Sequence, residues 1–232
     1  MTHRPVHRDT RVLIIDDHAL FAESLELALS LVGYDVRRPA LPGPDEPADA
    51  ALVAAIRMQP RIVLLDLDLG RLGDGTGMIT PLARSGVHVV VVTASTDRAR
   101  WGECLRHGAR RVLAKTQPLN DVLAVVRRIS QGLPVMDRHE REHLIDFWRT
   151  QRQAREAIVE RLGSLTRREQ EVLAHLMKGQ PVAEIAALGV VSEATVRSQV
   201  KSILAKLEVS SQLRAVGMAH QVGWEPTARV SA

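Results

Sequence analysis

The stretch VLLDLDLG, from Val63 to Gly70, decides the fold class of this chain. Val63, Leu64, Leu65 and Leu67 make the near-continuous apolar run of a strand covered on both faces. Such strands belong to parallel sheets sandwiched between helices, whereas a sheet with one wet face alternates apolar and polar residues. Asp66 and Asp68 stand at the end of the run. An ionised carboxylate there is costly unless something compensates its charge. The strand thus poses two questions: which sheet it joins, and what the acids are for.

Working outward, RVLIID (11–16), HVVVVTA (88–94) and RRVLAK (110–115) read as further strands, and YDVRR (34–38) as a weaker, edge-like one. Helical patterns lie between them. In 18–32, Leu20, Ser24, Leu27 and Leu31 mark one stripe, with Phe21, Leu25, Ala28 and Val32 beside it. In 119–131, Val122, Leu123, Val126 and Ile129 recur at helical spacing. PALPGPDEP (39–47) carries four prolines and reads as a loop before a helix near 48–58. Strand and helix alternate, so residues 1–133 are expected to form an α/β domain with a doubly wound, five-stranded parallel sheet.

The composition sets bounds. The 232 residues suffice for two small domains, and with 45% hydrophobic and 25% charged residues the chain reads as ordinary soluble globular protein. Only 3% of residues are aromatic, so the cores must be built from Leu, Val, Ile and Ala. A formal charge of +4 does not by itself establish a polyanion partner, although a pI near 9.8 permits one. A single cysteine, Cys104, rules out an intrachain disulfide framework and suits a reducing cytoplasm; a packed helix residue is its plain reading. The N-terminal MTHRPVHRDTR lacks the apolar core of a signal peptide, and no apolar run approaches membrane-span length. A cytoplasmic protein without membrane contact is expected.

The pattern changes after Pro134. From Asp137 to Leu162 there is no glycine or proline, and charges of both signs are dense. A long connecting helix with a narrow apolar seam is expected over 134–162, either as a solvated spacer or as a coiled-coil contact. The last section, 163–232, is helical by pattern over 163–224. LTRREQEVLAHLMKG has Thr166 as N-cap, Glu169 completing a capping box and Gly179 as a stop. A short helix at 181–188, a turn at Gly189, a helix from Ser192 and a fourth over about 211–222 follow.

In an open parallel sheet, ligands bind beyond the carboxyl ends of the strands. The strands here end in Asp16-Asp17, in Asp66 with Asp68 beyond it, in Thr93-Ala94 and in Lys115. Crowded carboxylates invite a hard divalent cation, and Mg²⁺ favours one or two carboxylates, a carbonyl and waters. Lys115 and Thr93 could hold a phosphoryl group, which leaves Asp66 as nucleophile. Taken singly, Asp17 could cap the next helix and Thr93 could be a plain strand residue; it is their joint occurrence at successive strand ends that carries the reading.

Asp16-Asp17, Asp66, Thr93-Ala94 and Lys115 resemble the receiver domain of two-component response regulators, with a flavodoxin-like fold, over nearly all of 11–133. The resemblance implies phosphorylation of Asp66 by a sensor histidine kinase. It implies Mg²⁺ held by Asp17 directly, by Asp16 as an outer ligand, by Asp66, and by Asp68 through its backbone carbonyl. Thr93 and Lys115 would hold the phosphoryl group. Two residues depart from the family pattern. The proline usual after the acceptor is replaced by a glycine-lengthened loop, and Val112 stands where the family has an aromatic switch residue. Valine is short and stiff at χ1, so loading Asp66 is expected to shift the receiver less than usual. Haloacid-dehalogenase-like phosphohydrolases share Asp-x-Asp, Thr and Lys, but there the nucleophile lies on the first strand and another acidic motif follows the lysine.

Residues 163–224 resemble the LuxR-type helix-turn-helix domain of the NarL/FixJ class in LTRREQEVL, AEIA, VSEATVRSQV and ILAKL. The third helix places Val196, Val200, Ile203, Leu204 and Leu207 on a core stripe and Arg197, Ser198 and Lys201 on another side. By resemblance those three face bases or phosphates, while Ser192 and Thr195 suit phosphate contacts. Gln199 and Gly189 depart from the family's usual His and Leu. HEREH (139–143) matches a zinc-protease signature but sits among charges and reads as a charged linker, and GDGTG (73–77) reads as a turn. The expectation is a transcription factor, not an enzyme, that binds double-stranded DNA and is a homodimer when active. A phosphorylation-independent regulator is the alternative that Val112 raises.

Overall fold

The computed structural model describes residues 10–39 and 49–226. The N-terminal stretch 1–9 and, past Pro39, the proline-rich loop lie outside the described residues. The apolar runs form β1 (Arg11–Ile15), β2 (Asp35–Arg37), β3 (Ile62–Leu65), β4 (His88–Thr93) and β5 (Arg111–Ala114). They pair in parallel in the order β2-β1-β3-β4-β5, with β2 at the edge. Helices α1 (Ala19–Leu31), α2 (Ala50–Arg57), α3 (Thr76–Arg84), α4 (Arg98–Arg106) and α5 (Leu119–Ser130) connect and follow the strands.

Side chains alternate across a strand, so successive residues enter two different cores. Leu13, Ile15, Val63, Leu65, Val89 and Val91 point to one face, beneath Ala55 of α2, Ile79 and Leu82 of α3 and Leu105 of α4. Val12, Ile14, Ile62, Leu64, Val90 and Val92 point to the other, beneath Leu25 and Leu29 of α1 and Val126 and Ile129 of α5. Both faces are dry, which is why β3 carries no polar residue before Asp66. In α1 the buried face is Ala22, Leu25 and Leu29; of the stripe read from sequence, Leu20, Leu27 and Leu31 are exposed. That helix carries leucine on several sides, so spacing alone does not select the buried one.

The long charged segment is a single helix, α6 (Arg138–Gly163). Contacts divide the chain into Met1–Arg149 and Thr150–Ala232, a boundary that falls inside α6. The two ends of the helix are thus anchored in different cores. Leu144 is buried in the first unit and Leu162 in the second, while residues 149–157 between them are exposed. HEREH lies in the first part: Arg141 donates to Leu105 O (2.6 Å) and Ala109 O (2.9 Å), and Glu140 pairs with Arg111 at 2.7 Å. Those contacts hold this charged segment against the end of α4 and against Arg111 of β5.

The second unit adds α7 (Arg167–Met177), α8 (Val182–Leu188), α9 (Glu193–Leu207) and α10 (Gln212–Val222) around a core that includes Val172, Leu173, Ile185, Val196, Ile203, Leu207, Ala215 and Ala219. Thr166 and Glu169 form the capping box expected at the start of α7. Glu169 does more than cap. It is 3% exposed and accepts hydrogen bonds from Ser202 Oγ (2.6 Å) and Lys206 Nζ (2.6 Å), which tie α7 to α9.

Candidate functional site

Parallel pairing sets the site. Ile15 is in register with Leu65, Leu65 with Val91 and Thr93 with Ala114, so the residues just beyond these positions gather at one sheet edge. Asp66 follows β3 with its N–H donating to Ile15 O (2.9 Å), and Lys115 follows β5 with its N–H donating to Thr93 O (2.8 Å). Backbone ladder bonds thus fix the roots of both side chains. Lys115 Nζ donates to Asp66 Oδ2 at 2.6 Å and to Asp16 Oδ1 at 2.9 Å, and lies 5.0 Å from the centre of the Phe21 ring. The ammonium is what compensates Asp66 in VLLDLDLG.

Asp66 is almost wholly buried, at 2% exposure. Burial, aided by repulsion from Asp16, holds its carboxyl above the ordinary carboxylate range despite the hydrogen bond and charge of Lys115. For Lys115, burial opposes the charge, but hydrogen bonds to Asp16 and Asp66 outweigh it and raise the pKa. Asp17 caps nothing: the N-cap of α1 is His18, without a side-chain bond, and Asp17 instead lies 2.8 Å from His18 Nδ1. Thr93 is fully buried, and its Oγ1 accepts from Ser95 N–H at 3.1 Å, which leaves the hydroxyl hydrogen able to donate elsewhere.

The loop after β3 closes over this edge. Asp68 N–H donates to Asp66 Oδ1 at 3.3 Å, and an isolated antiparallel bridge joins Asp68 to Asp74. Gly70 has φ +57°, a backbone conformation that favours glycine, and it lies close enough to Asp17 that an added Cβ would stand 2.8 Å from the movable Asp17 Oδ2. The Asp68 side chain turns to Arg100, whose guanidinium bridges Asp68 and Asp74 at 3.1 Å each.

The donor set fits a hard divalent cation. One ligand atom each from Asp16, Asp17, His18 and Asp66 lie within 4.8 Å of one another. His18 and Arg100 were not singled out in the sequence. His18 follows the acidic pair directly, a signal that was there to use; Arg100 lies far along the chain from the loop it ties and carries none. Cys104 is fully buried in α4, and burial pushes its thiol up to about 12, which makes it an inert core residue.

In the second unit, α9 starts at Ser192, whose side chain accepts from Thr195 N–H at 3.1 Å. Ser192 Oγ is thus engaged as the cap, and Thr195 Oγ1 lies 2.8 Å from it. Val196, Val200, Ile203 and Leu207 are buried, while Ser192, Thr195, Arg197, Ser198 and Lys201 are exposed. Arg197 pairs with Glu193 one turn back at 2.9 Å, an exposed pair that a stronger anion could displace. No helix among the described residues is long and apolar enough to cross a membrane.

Residues 12–127 match the family described as "Response regulator receiver domain", and residues 163–219 match "Bacterial regulatory proteins, luxR family". The chain is 30% identical over 213 residues to the transcriptional regulatory protein LnrK of Bacillus subtilis, covering 88% of this chain and 94% of that protein. It is 28% identical over 213 residues to the response regulator protein VraR of Staphylococcus aureus, covering 91% and 96%. Among solved structures, RcsB from Salmonella enterica serovar Typhimurium bound to a promoter in the presence of phosphomimetic BeF3- aligns with a TM-score of 0.48 and 21% identity, over 92% of this chain and 98% of that one.

Proposed function

The chain belongs to the response regulators that join a receiver domain to a LuxR-type DNA-binding domain, transcription regulators rather than enzymes, and on that premise we propose that it is switched by phosphorylation of Asp66. The observation that carries this reading is the buried Asp66 carboxylate held between Lys115 Nζ and the Asp68 N–H. A carboxylate oxygen of Asp66 attacks the phosphorus of a phosphohistidine on a sensor histidine kinase. The new O–P bond forms as the P–N bond breaks, and its electron pair returns to the imidazole, which takes up a proton. Asp17 and Asp66, with Asp16 as an outer ligand and the Asp68 carbonyl, would hold Mg²⁺, which would supply charge to offset repulsion between the acids and the incoming phosphoryl oxygens.

The chain's own groups do the rest. Lys115 is placed to turn from Asp66 Oδ2 to a phosphoryl oxygen, and the Thr93 hydroxyl donates to another. The phosphoryl group brings about −1.5 to −2 units of charge to an edge that already holds the acids, so these donors gain a new anionic partner when it arrives. We read residues 1–133 as receiver, 134–162 as linker and 163–232 as the DNA-binding domain. Arg197, Ser198 and Lys201 face bases or phosphates of double-stranded DNA, with Thr195 and the capping Ser192 at the phosphate backbone. The protein acts in the cytoplasm, and the active form is a homodimer; the exposed leucines Leu20, Leu27 and Leu31 of α1 offer apolar surface for pairing.

The test is Asp66→Asn. An amide is no nucleophile, so labelling by acetyl phosphate with Mg²⁺ disappears while the circular dichroism spectrum is kept. Equal labelling of the variant and wild type refutes the assignment. One observation favours a phosphorylation-independent regulator instead: Val112, at the family's aromatic switch position, is small and buried. Operator binding that is identical with and without beryllofluoride would decide for it.

A further inference from the structure

Val112 cannot swing as an aromatic ring does, yet an aromatic ring sits in the same core cluster. That cluster holds Val112, Leu144 of α6 and, packed against it, Trp101 of α4. The Trp101 indole is tied to the phosphoryl pocket by two hydrogen bonds in series. Ser95 N–H donates to Thr93 Oγ1 (3.1 Å), and Trp101 Nε1 donates to Ser95 O (2.9 Å). One short segment of backbone therefore answers to the threonine at one end and to the indole at the other.

The next residue gives the path onward. A Cβ on Gly102 would collide with the carbonyl of Leu144 and crowd Trp148 Cβ, so α4 and the first part of α6 touch with no side chain between them. Arg141 of α6 donates to the carbonyls of Leu105 and Ala109 at the far end of α4. At its near end, Arg100 holds α4 to Asp68 and Asp74 of the acceptor loop. Packed interiors transmit displacement because they hold few voids to absorb it. A contact made by backbone alone has no rotamer with which to yield.

We propose that Trp101 is the positioning residue that reads Thr93 and passes its state to helix α6, in the place of the aromatic residue missing at Val112. The proposal rests on phosphoryl loading at Asp66. A phosphoryl oxygen on Asp66 draws the Thr93 hydroxyl toward it and spoils the geometry of the Ser95 N–H bond. Ser95 then moves, its carbonyl takes the indole N–H with it or releases it, and α4 follows the ring. Because Gly102 leaves no slack, residues 138–149 of α6 shift with α4.

The experiment uses the full-length protein, ¹⁵N-labelled, with Mg²⁺ and beryllofluoride as the probe. The indole N–H resonances of Trp101, Trp148 and Trp224 are assigned from single Trp→Phe variants, and deuterium uptake is followed in 138–149. The expected result is that the Thr93 and Lys115 amides and the Trp101 indole all move. Exchange in 138–149 changes by about fivefold or more, the lower end of ordinary allosteric coupling. In Trp101→Phe, which keeps a ring but loses the donor, the Thr93 and Lys115 amides still respond while 138–149 does not. An unmoved Trp101 indole beside a moving Thr93 amide overturns the proposal, and that measurement needs no variant in the test itself. So does a Trp101→Phe protein whose α6 responds as wild type. Silence at both Thr93 and Lys115 overturns the reading of the pocket itself, and this proposal with it.

Discussion

Replacing Glu169 by glutamine tests how the DNA-binding unit is held together. The carboxylate is buried and takes hydrogen bonds from Thr166 N–H (2.7 Å), Ser202 Oγ (2.6 Å) and Lys206 Nζ (2.6 Å). Burial opposes its ionisation, but the bonds from Lys206, Ser202 and Thr166 win and hold its pKa at about 2 rather than 4.5. At 1.36 kcal/mol per unit, that difference corresponds to roughly 3 kcal/mol of stability. The folded value lies below the unfolded one, so this stability is fully present above pH 4.5 and drains away as pH falls toward 2. Glutamine keeps one acceptor oxygen but no charge, and Lys206, a third exposed, can turn its ammonium to water. The expected cost at pH 7 is therefore about 2–3 kcal/mol, below the usual penalty for stranding a fully buried charge. For a unit of this size it lowers the midpoint by roughly 8–24 °C. Urea titrations of the full-length protein and of the variant, followed by circular dichroism, measure it as the shift of the transition that the substitution moves. The reasoning fails if the variant loses less than about 0.5 kcal/mol at pH 7, the range of an ordinary surface change. It fails equally if the gap between variant and wild type does not narrow between pH 5 and pH 2.5.

Other outcomes are open to direct measurement. Asp66→Asn is expected to raise the thermal midpoint of the receiver at pH 7. Burial holds the Asp66 pKa above its unfolded value, so the ionised form costs stability at neutral pH, and the gain should shrink as pH falls through the folded pKa and be gone below the unfolded one. Gly102→Val should cost about 1–3 kcal/mol through overpacking against Leu144, read from the unfolding of the first unit; a neutral effect would show that α4 and α6 are not in backbone contact. Lys201→Ala and Arg197→Ala should each weaken operator binding. Where a phosphate contact is lost, the slope of log K against log salt should fall by about one unit, and two wild-type slopes and affinities would put the recognition surface elsewhere.

What was legible in the sequence follows from what burial demands. A strand dry on both faces has few residue choices, so VLLDLDLG and its neighbours announce a parallel sheet, and acids at the strand ends announce a site. The α9 stripe was legible for the same reason: Val196, Val200, Ile203 and Leu207 recur on one side and are buried. In α1, leucine occurs on several sides, and nothing local separates buried Leu25 and Leu29 from exposed Leu20, Leu27 and Leu31. The capping box at Thr166 was readable because its partners are three residues apart. Its second role was not, since Ser202 and Lys206 reach Glu169 only through the packing of α9 on α7.

The hardest feature to foresee was what stands in for the missing switch residue. Val112 is conspicuous because the family's pattern fixes a position and a residue type, and the departure can be read from one letter. Its replacement uses no such letters. Trp101 binds a backbone carbonyl, Ser95 O, which every residue type offers equally. The contact between α4 and α6 is made at Gly102, where the informative fact is that there is no side chain. Arg141 likewise spends its guanidinium on two backbone carbonyls. A lost side chain is visible in sequence while a gained backbone contact is not. Counting only Val112 therefore underestimates the coupling this receiver can support. The structure connects Thr93 to α6 in three hydrogen-bond and packing steps, and none of those steps passes through residue 112.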